Sequence, residues 1–202
     1  MVALCFVNPL NAQPIENGLF VMYQGSAEVA RESYGFDGTT LSDTVNIPSR
    51  GIRMESVARY GQDYSPESYH LNVYSGSADV PVQRIEIAFS DTAAVWTTST
   101  QMGDSTGVSP LEGEYGFLQN LVFAQLAVVL LRYDHSTGGD QTLRVWVPEQ
   151  GALVDMSISF TSGTEGSAEV NGVVMNYEVN SDGWLTRLSV PSQNVTVESS
   201  DS

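Results

Sequence analysis

Lysine is absent from this chain, cysteine occurs once and histidine twice, and each shortage removes a class of function. With the single thiol of Cys5, no intramolecular disulfide can form. Two separated histidines, His70 and His135, and one cysteine cannot build a zinc cluster of the usual spacing, and no EF-hand loop is present. Also missing are a glycine-rich loop opening a helix to cradle phosphate and a Gly-x-Ser-x-Gly elbow. Basic charge rests on eight arginines against 24 acidic residues, for a formal net charge of −16. So acidic a surface repels phosphate backbones and anionic membranes, which sets nucleic acid aside. It suits equally a protein solvated in high salt and one kept soluble outside the cell.

What is present is enough for one folded domain. The chain has 202 residues, 42% of them apolar, with seven Phe, nine Tyr and three Trp spread along it. That is the composition of a globular protein rather than of a disordered one. The opening stretch MVALCFVNPLNAQP is apolar and then small-residue rich, like the tail of a secretory signal peptide, although it lacks a basic start. The expectation is a signal-peptide remnant over 1–13, one β-rich domain over 17–198, and a periplasmic or extracellular location.

Period-2 alternation dominates from Asn17 onward. Tyr69, Leu71 and Val73 alternate with His70 and Asn72, and Val154, Met156, Ile158 and Phe160 alternate with Asp155, Ser157 and Ser159. One face of each strand is buried and the other is wet. The pattern predicts eleven strands, at 18–25, 27–36, 39–47, 52–63, 67–75, 82–90, 93–100, 141–148, 152–161, 167–179 and 184–198. Short turn-rich junctions such as Asp37-Gly38, Asn171-Gly172 and Asp182-Gly183 make this an antiparallel meander. The glycine- and serine-rich stretch 101–116 is predicted as a long loop, and the tail from Glu198 as frayed.

One segment breaks the pattern. Phe117 to Arg132, FLQNLVFAQLAVVLLR, carries no charge before Arg132 and no Gly or Pro. It reads as a helix that is apolar on nearly every side, hence buried, and its length falls short of the ~20 residues that cross a bilayer. The β-branched Val122, Val128 and Val129 leave a strand as the alternative. The predicted fold is mainly β: an antiparallel meander forming a half-open barrel around one apolar α-helix.

Candidate chemistry is sparse. Neither histidine has the neighbours of a catalytic base, and Gly103-Asp104-Ser105, which looks like the serine block of one esterase group, has no histidine after His135 to serve it. Arg53, Glu55 and Arg59 share a strand face, which reads as ion pairing. Asp43 lies on the same face as Leu41, Val45 and Ile47, so it is either displaced by a bulge or buried and in need of a partner.

The order of Gly18-Leu19-Phe20-Val21-Met22-Tyr23, the turn Tyr64-Ser65-Pro66-Glu67-Ser68-Tyr69, the segment FLQNLVFAQLAVVLLRYDH and a closing meander resembles that of uncharacterised β-domains of secreted bacterial proteins. Their architecture is similar to that of periplasmic lipoprotein carriers, in which a half-open barrel covers an apolar helix and accepts acyl chains. The resemblance spans about 17–195 and rests on order and pattern, so it carries over no functional residue. It implies a non-catalytic exported binding module for an apolar ligand, a lipid or a lipid-modified partner. The alternative is an accessory or scaffold domain with a filled core, supporting a separate enzyme or complex. Under the first reading the ligand-binding residues are Phe89, Phe117, Leu121, Phe123, Trp146 and Met156. No metal, cofactor or nucleic acid is called for, and no stable membrane span.

Overall fold

The computed structural model describes residues 16–200, so the segment read as a signal-peptide remnant lies outside the described residues. Eight strands come first: β1 (Glu16–Gln24), β2 (Ala27–Phe36), β3 (Thr40–Ile47), β4 (Ile52–Tyr60), β5 (Pro66–Ser75), β6 (Gln83–Phe89), β7 (Ala93–Thr100) and β8 (Gly103–Pro110). The short β9 (Gly116–Phe117) and helix α1 (Phe123–Leu130) follow. The chain then returns through β10 (Gln141–Val147), β11 (Ala152–Phe160), β12 (Glu165–Val170), β13 (Val173–Val179), β14 (Leu185–Val190) and β15 (Val195–Ser200).

All fifteen strands form one sheet, in the order β8-β7-β6-β5-β4-β3-β2-β1-β15-β14-β13-β12-β11-β10-β9. Every strand pair is antiparallel except β9 with β10. Two meanders therefore meet where β1 pairs with β15, and Leu19 lies opposite Ser200. The curled sheet stays open between its end strands β8 and β9, and α1 sits on its concave side among the residues of one continuous apolar core. Among the described residues no helix is long and apolar enough to cross a membrane.

Strand alternation places the core as expected. In β3 the residues Leu41, Asp43, Val45 and Ile47 point inward and Ser42, Asn46 outward, and β13 buries Met175, Tyr177 and Val179 in the same rhythm. The expectation of eleven strands is corrected in three places. First, 167–179 is a hairpin, because Asn171 and Gly172 take φ of 52° and 76° and so form the left-handed two-residue turn that matches strand twist. Second, 184–198 is broken by a short 3-10 turn at Pro191–Gln193, after which Asn194 reverses the chain at φ 54°. The same device, Pro48–Arg50 followed by Gly51 at φ 59°, joins β3 to β4. Third, the expected loop 101–116 contains β8 and the start of β9. Glu198 to Ser200, expected to fray, are paired with β1.

The helix is shorter than predicted. It covers Phe123–Leu130, not 117–132, because stronger partners claim the residues before it. Phe117 joins the sheet beside Trp146, and the Leu118 N–H donates to the Trp146 carbonyl at 3.1 Å. Gln119 N–H donates to the Gln125 side-chain oxygen at 2.7 Å, and Leu121 takes φ 68°. No side chain at the start of α1 caps it, since Val122 stands there. Glu32 of β2 supplies the cap instead, accepting the Phe123 N–H at 2.7 Å and the Ala124 N–H at 3.1 Å. This satisfies two of the donors that a helix start leaves free.

The gap between the sheet's ends is closed by side chains. Ser109 Oγ donates to the Gly151 carbonyl at 2.8 Å, and the Tyr115 hydroxyl to the Ser90 carbonyl at 3.0 Å. Phe89, Phe117 and Trp146 pack into one cluster, with Phe89 5.5 Å from Phe117 and 5.6 Å from Trp146 between ring centres.

Candidate functional site

The strap of residues 118–122 that leads into α1 forms one wall of a cavity of about 420 Å³. Its opposite wall comes from the concave faces of β1, β12, β13, β14 and β15: Met22, Val170, Val173, Met175, Leu188, Val190 and Val195 line it. Alternation puts these side chains on one face, and the sheet's curl brings them over Leu121, Phe123 and Leu126. At about 420 Å³ it lies within the ~300–1,000 Å³ range of pockets that hold small organic ligands. None of the residues lining it is ionisable, although the chain has 24 acidic groups. The polar residues lining it are Gln119, Asn120, Gln150, Asn171 and Gln193, of which all but Gln119 are exposed.

A second cavity, of about 350 Å³, lies on the other side of the strap near the open side of the sheet. Ile85, Ile87, Trp96, Trp146 and Glu149 contribute to it. Trp96 lies directly against Gly107 of β8, where an added Cβ would come within 2.2 Å of the indole. Gln119 lines both cavities.

Gln119 is 92% buried, and its hydrogen bonds determine which way its amide points. Nε2 donates to Glu149 Oε1 at 2.6 Å, and Glu149 Oε1 also accepts the Asn120 N–H at 3.2 Å. An ionised carboxylate only accepts, so the NH₂ end of Gln119 must face Glu149. The amide oxygen is left as a buried acceptor with no hydrogen-bond donor among the described residues.

Deeper in the barrel lies a polar cluster that no cation among the described residues neutralises. Glu32 and Asp43 are both inward-facing on neighbouring strands, with Tyr34 opposite Asp43 and Val45 opposite Glu32. Burial, and then the charge of Asp43, raise the Glu32 carboxyl well above the usual range, against the pull of the two helix N–H groups. Burial raises Asp43 to about 7, although the Ser56 hydroxyl donates to it at 2.5 Å. Tyr60 and Tyr69 lie in the same interior, and burial raises both phenols. The arrangement keeps at least one proton on the pair near neutral pH, because two uncompensated carboxylates in an apolar interior cannot both ionise cheaply.

The six sequence-predicted residues fall in different places. Leu121 and Phe123 line the larger cavity and Trp146 the smaller one. Phe89, Phe117 and Met156 line neither; Phe89 and Phe117 belong to the aromatic cluster at the sheet's open side, and Met156 is fully buried in the core. Sequence reasoning missed Gln119, Glu32 and the β12–β15 wall. Gln119 had a visible signal, being one of three polar residues in an otherwise apolar run. The wall residues alternate as any strand does, so nothing in their pattern marked a cavity.

His70 lies half-buried with Nδ1 3.5 Å from Glu86 Oε1, and exposed His135 packs against Tyr133 and Phe160 at 4.9 and 4.8 Å. Asp104 and Ser105 are exposed on the end strand β8. Asn180 to Gly183 form a hairpin turn in which Asn180 Oδ1 accepts the Asp182 and Trp184 N–H groups. Among the described residues no three His, Cys, Asp or Glu side chains come together as a metal site would require.

No family model matches the chain, and no curated protein matches it. Solved structures do share its fold. A DUF1089 family protein from Pseudomonas aeruginosa superposes with a TM-score of 0.59 at 11% identity, covering 83% of this chain and 92% of its own. A β-barrel-like protein of the domain of unknown function DUF1849 from Brucella abortus gives a TM-score of 0.53 at 8% identity, over 92% of this chain and 94% of its own. This is a mainly-β, barrel-like domain, similar in fold to domains of unknown function.

Proposed function

We propose that this domain is a non-catalytic binding module, exported to the periplasm or beyond the cell, that holds the apolar chain of a lipid or of a lipid-modified partner in the larger cavity. The observation that carries the reading is an apolar, charge-free cavity opening to solvent in a protein whose surface is otherwise strongly acidic. A void lined by Val, Leu and Met loses dispersion contacts that a hydrocarbon chain would restore. Export is supported by the likeness of the stretch 1–13 to the tail of a signal peptide. The half-barrel around an apolar helix is also what the sequence resemblance to lipoprotein carriers implies.

The test is native mass spectrometry of protein purified from its own source, together with displacement of an apolar fluorescent probe. The expected result is a co-purified hydrophobic mass released on unfolding, and probe binding that Val173→Trp abolishes by filling the cavity. Absence of both adduct and probe binding would favour a second reading, an accessory domain that supports another protein. That reading draws on α1 itself, where every residue from Ala124 to Leu130 is buried and most of the barrel interior is packed.

A further inference from the structure

The end strand β8 has one bare edge, and its register shows which backbone groups lie along it. The Leu111 N–H donates to the Thr92 carbonyl at 2.9 Å, and the same register pairs Ser109 with Ala94, Gly107 with Trp96 and Ser105 with Thr98. In an antiparallel ladder hydrogen-bonded pairs alternate with unbonded ones, so Ser105, Gly107 and Ser109 turn their N–H and C=O groups toward β7. Those of Asp104, Thr106 and Val108 turn the other way. All three residues are exposed, and among the described residues no strand pairs with them on that side. The contact of Ser109 with Gly151 closes the sheet's gap only at the far end of β8. Toward Gly103 the strand borders the smaller cavity, of about 350 Å³, which Ser105 lines together with Trp96, Ile87, Trp146 and Glu149.

We propose that β8 accepts an extended, basic segment of a partner protein as a further strand of the sheet, with one apolar side chain of that segment seated in the smaller cavity. A bare strand edge recruits another strand through its unpaired N–H and C=O groups, while pockets beside it select alternate side chains. Here Asp104, Thr106 and Val108 supply the ladder. An added residue opposite Ser105 points to the same face as Ser105, into the cavity beside Trp96 and Ile87. Charge selects the flanking residues. Asp104 lies on the edge, Glu149 is the one ionisable residue lining the cavity, and the net charge of −16 attracts lysine and arginine at longer range. A second copy of this chain fits poorly, because it brings the same charge and its own β8 offers the cavity only Ser105, Gly107 or Ser109. The edge lies outside the larger cavity, whose lining includes no residue of β6, β7 or β8, so the proposal holds whatever that cavity binds.

The probes are short capped peptides long enough to span Asp104–Val108, with lysine alternating with threonine and leucine or phenylalanine at the centre. Their binding to the full chain at pH 7 is measured together with hydrogen exchange at single amides. Saturating peptide should slow exchange at Asp104, Thr106 and Val108 by about tenfold or more. N-methylation of the peptide amides that face β8 keeps every side chain and should weaken binding at least about tenfold, the factor one lost hydrogen bond supplies. Glutamate in place of lysine should weaken it as well. Thr106→Pro deletes the middle donor of the bare edge and no donor of the ladder to β7, so it should abolish binding while the thermal transition is retained. Equal binding of methylated and unmethylated peptides would mean docking by side chains without an added strand, and would overturn the proposal. Equal binding of the glutamate peptides, unprotected amides at the three edge residues, or failure of every peptide to bind would overturn it too. Exchange at those amides that slows with rising protein concentration in the absence of peptide would give the edge to a second copy, with the same consequence. Because the methylation comparison uses the unaltered protein, it stands whether or not Thr106→Pro folds.

Discussion

Glu32 and Asp43 are the least expected residues of the interior, at 1% and 5% exposure with no arginine among the described residues to neutralise them. Glu32 serves as the cap that α1 lacks in its own sequence, and Asp43 is held by Ser56. Asp43 keeps its proton to about pH 7 in the folded protein, whereas the unfolded chain releases it near pH 4. The native state therefore binds the extra proton, and the stability it confers is full below about pH 4 and lost as pH rises through about 7. Glu32, also raised, acts in the same direction. Asp134 opposes it only in acid: Ser136 and Thr137 hold its carboxyl down at about 2, so its contribution is lost below the ordinary carboxylate range. Urea midpoints should accordingly fall between pH 5 and pH 8. Asp43→Asn should flatten that fall and stabilise the protein at pH 8 by about 1–3 kcal/mol, since a neutral amide keeps the Ser56 contact without the buried charge. An unchanged pH slope in Asp43→Asn would place the buried proton elsewhere.

At the scale of elements, α1 and the strap before it have the same apolar composition but different roles. Leu126, 3% exposed, is packed between helix and sheet, whereas Leu121 is half-buried on the cavity wall at φ 68°. An aspartate at 126 would put an unpaired charge in the core at a cost of about 4 kcal/mol or more, comparable with the stability of a marginal domain. An aspartate at 121 can reach the cavity mouth and water. Leu126→Asp is expected to unfold the domain. Leu121→Asp is expected to keep a cooperative thermal transition and to lose probe binding. Cooperative melting of Leu126→Asp would contradict the buried helix, and undiminished probe binding by Leu121→Asp would remove the strap from the site.

For the whole molecule the governing quantity is net charge. Among the described residues the ion pairs are few and mostly on the surface: Arg31 with Glu28 at 2.6 Å, Arg187 with Glu178 at 3.1 Å and Glu198 at 3.6 Å, Arg53 with Glu55 at 3.3 Å, and the largely buried Arg132 with exposed Glu114 at 3.8 Å. Such pairs contribute about 0–1 kcal/mol each and weaken in salt. Repulsion among 24 acidic groups acts over the Debye length, which shrinks from about 30 Å at 0.01 M salt to about 3 Å at 1 M. Salt therefore removes more repulsion than attraction. Urea midpoints at pH 7 should rise steadily between about 0.01 M and 1 M sodium chloride. A falling midpoint would show that specific pairs outweigh net repulsion.

The sequence by itself determined the class and direction of this fold. Period-2 alternation specified which residues of β3, β5, β11 and β13 face inward, because a strand with one wet face leaves no other choice of side. The charge-free run around Leu126 announced the buried helix, and the inward register of Asp43 was already visible as an anomaly. Asn194 hid a strand break that Gly51 in the parallel position disclosed, because asparagine enters the left-handed region at some cost and is a weaker signal than glycine. Tertiary structure decided the rest. The start of α1 was set by backbone N–H groups donating to Glu32, Trp146 and Gln125, residues from 6 to 92 positions away, against a local preference for more helix. The cavity exists only because the curled sheet brings β12–β15 over the strap, and the Gln119 amide oxygen was left without a donor once its Nε2 donated to Glu149. Local pattern records which way a side chain points, whereas a cavity is the space left between surfaces that the chain brings together from far apart.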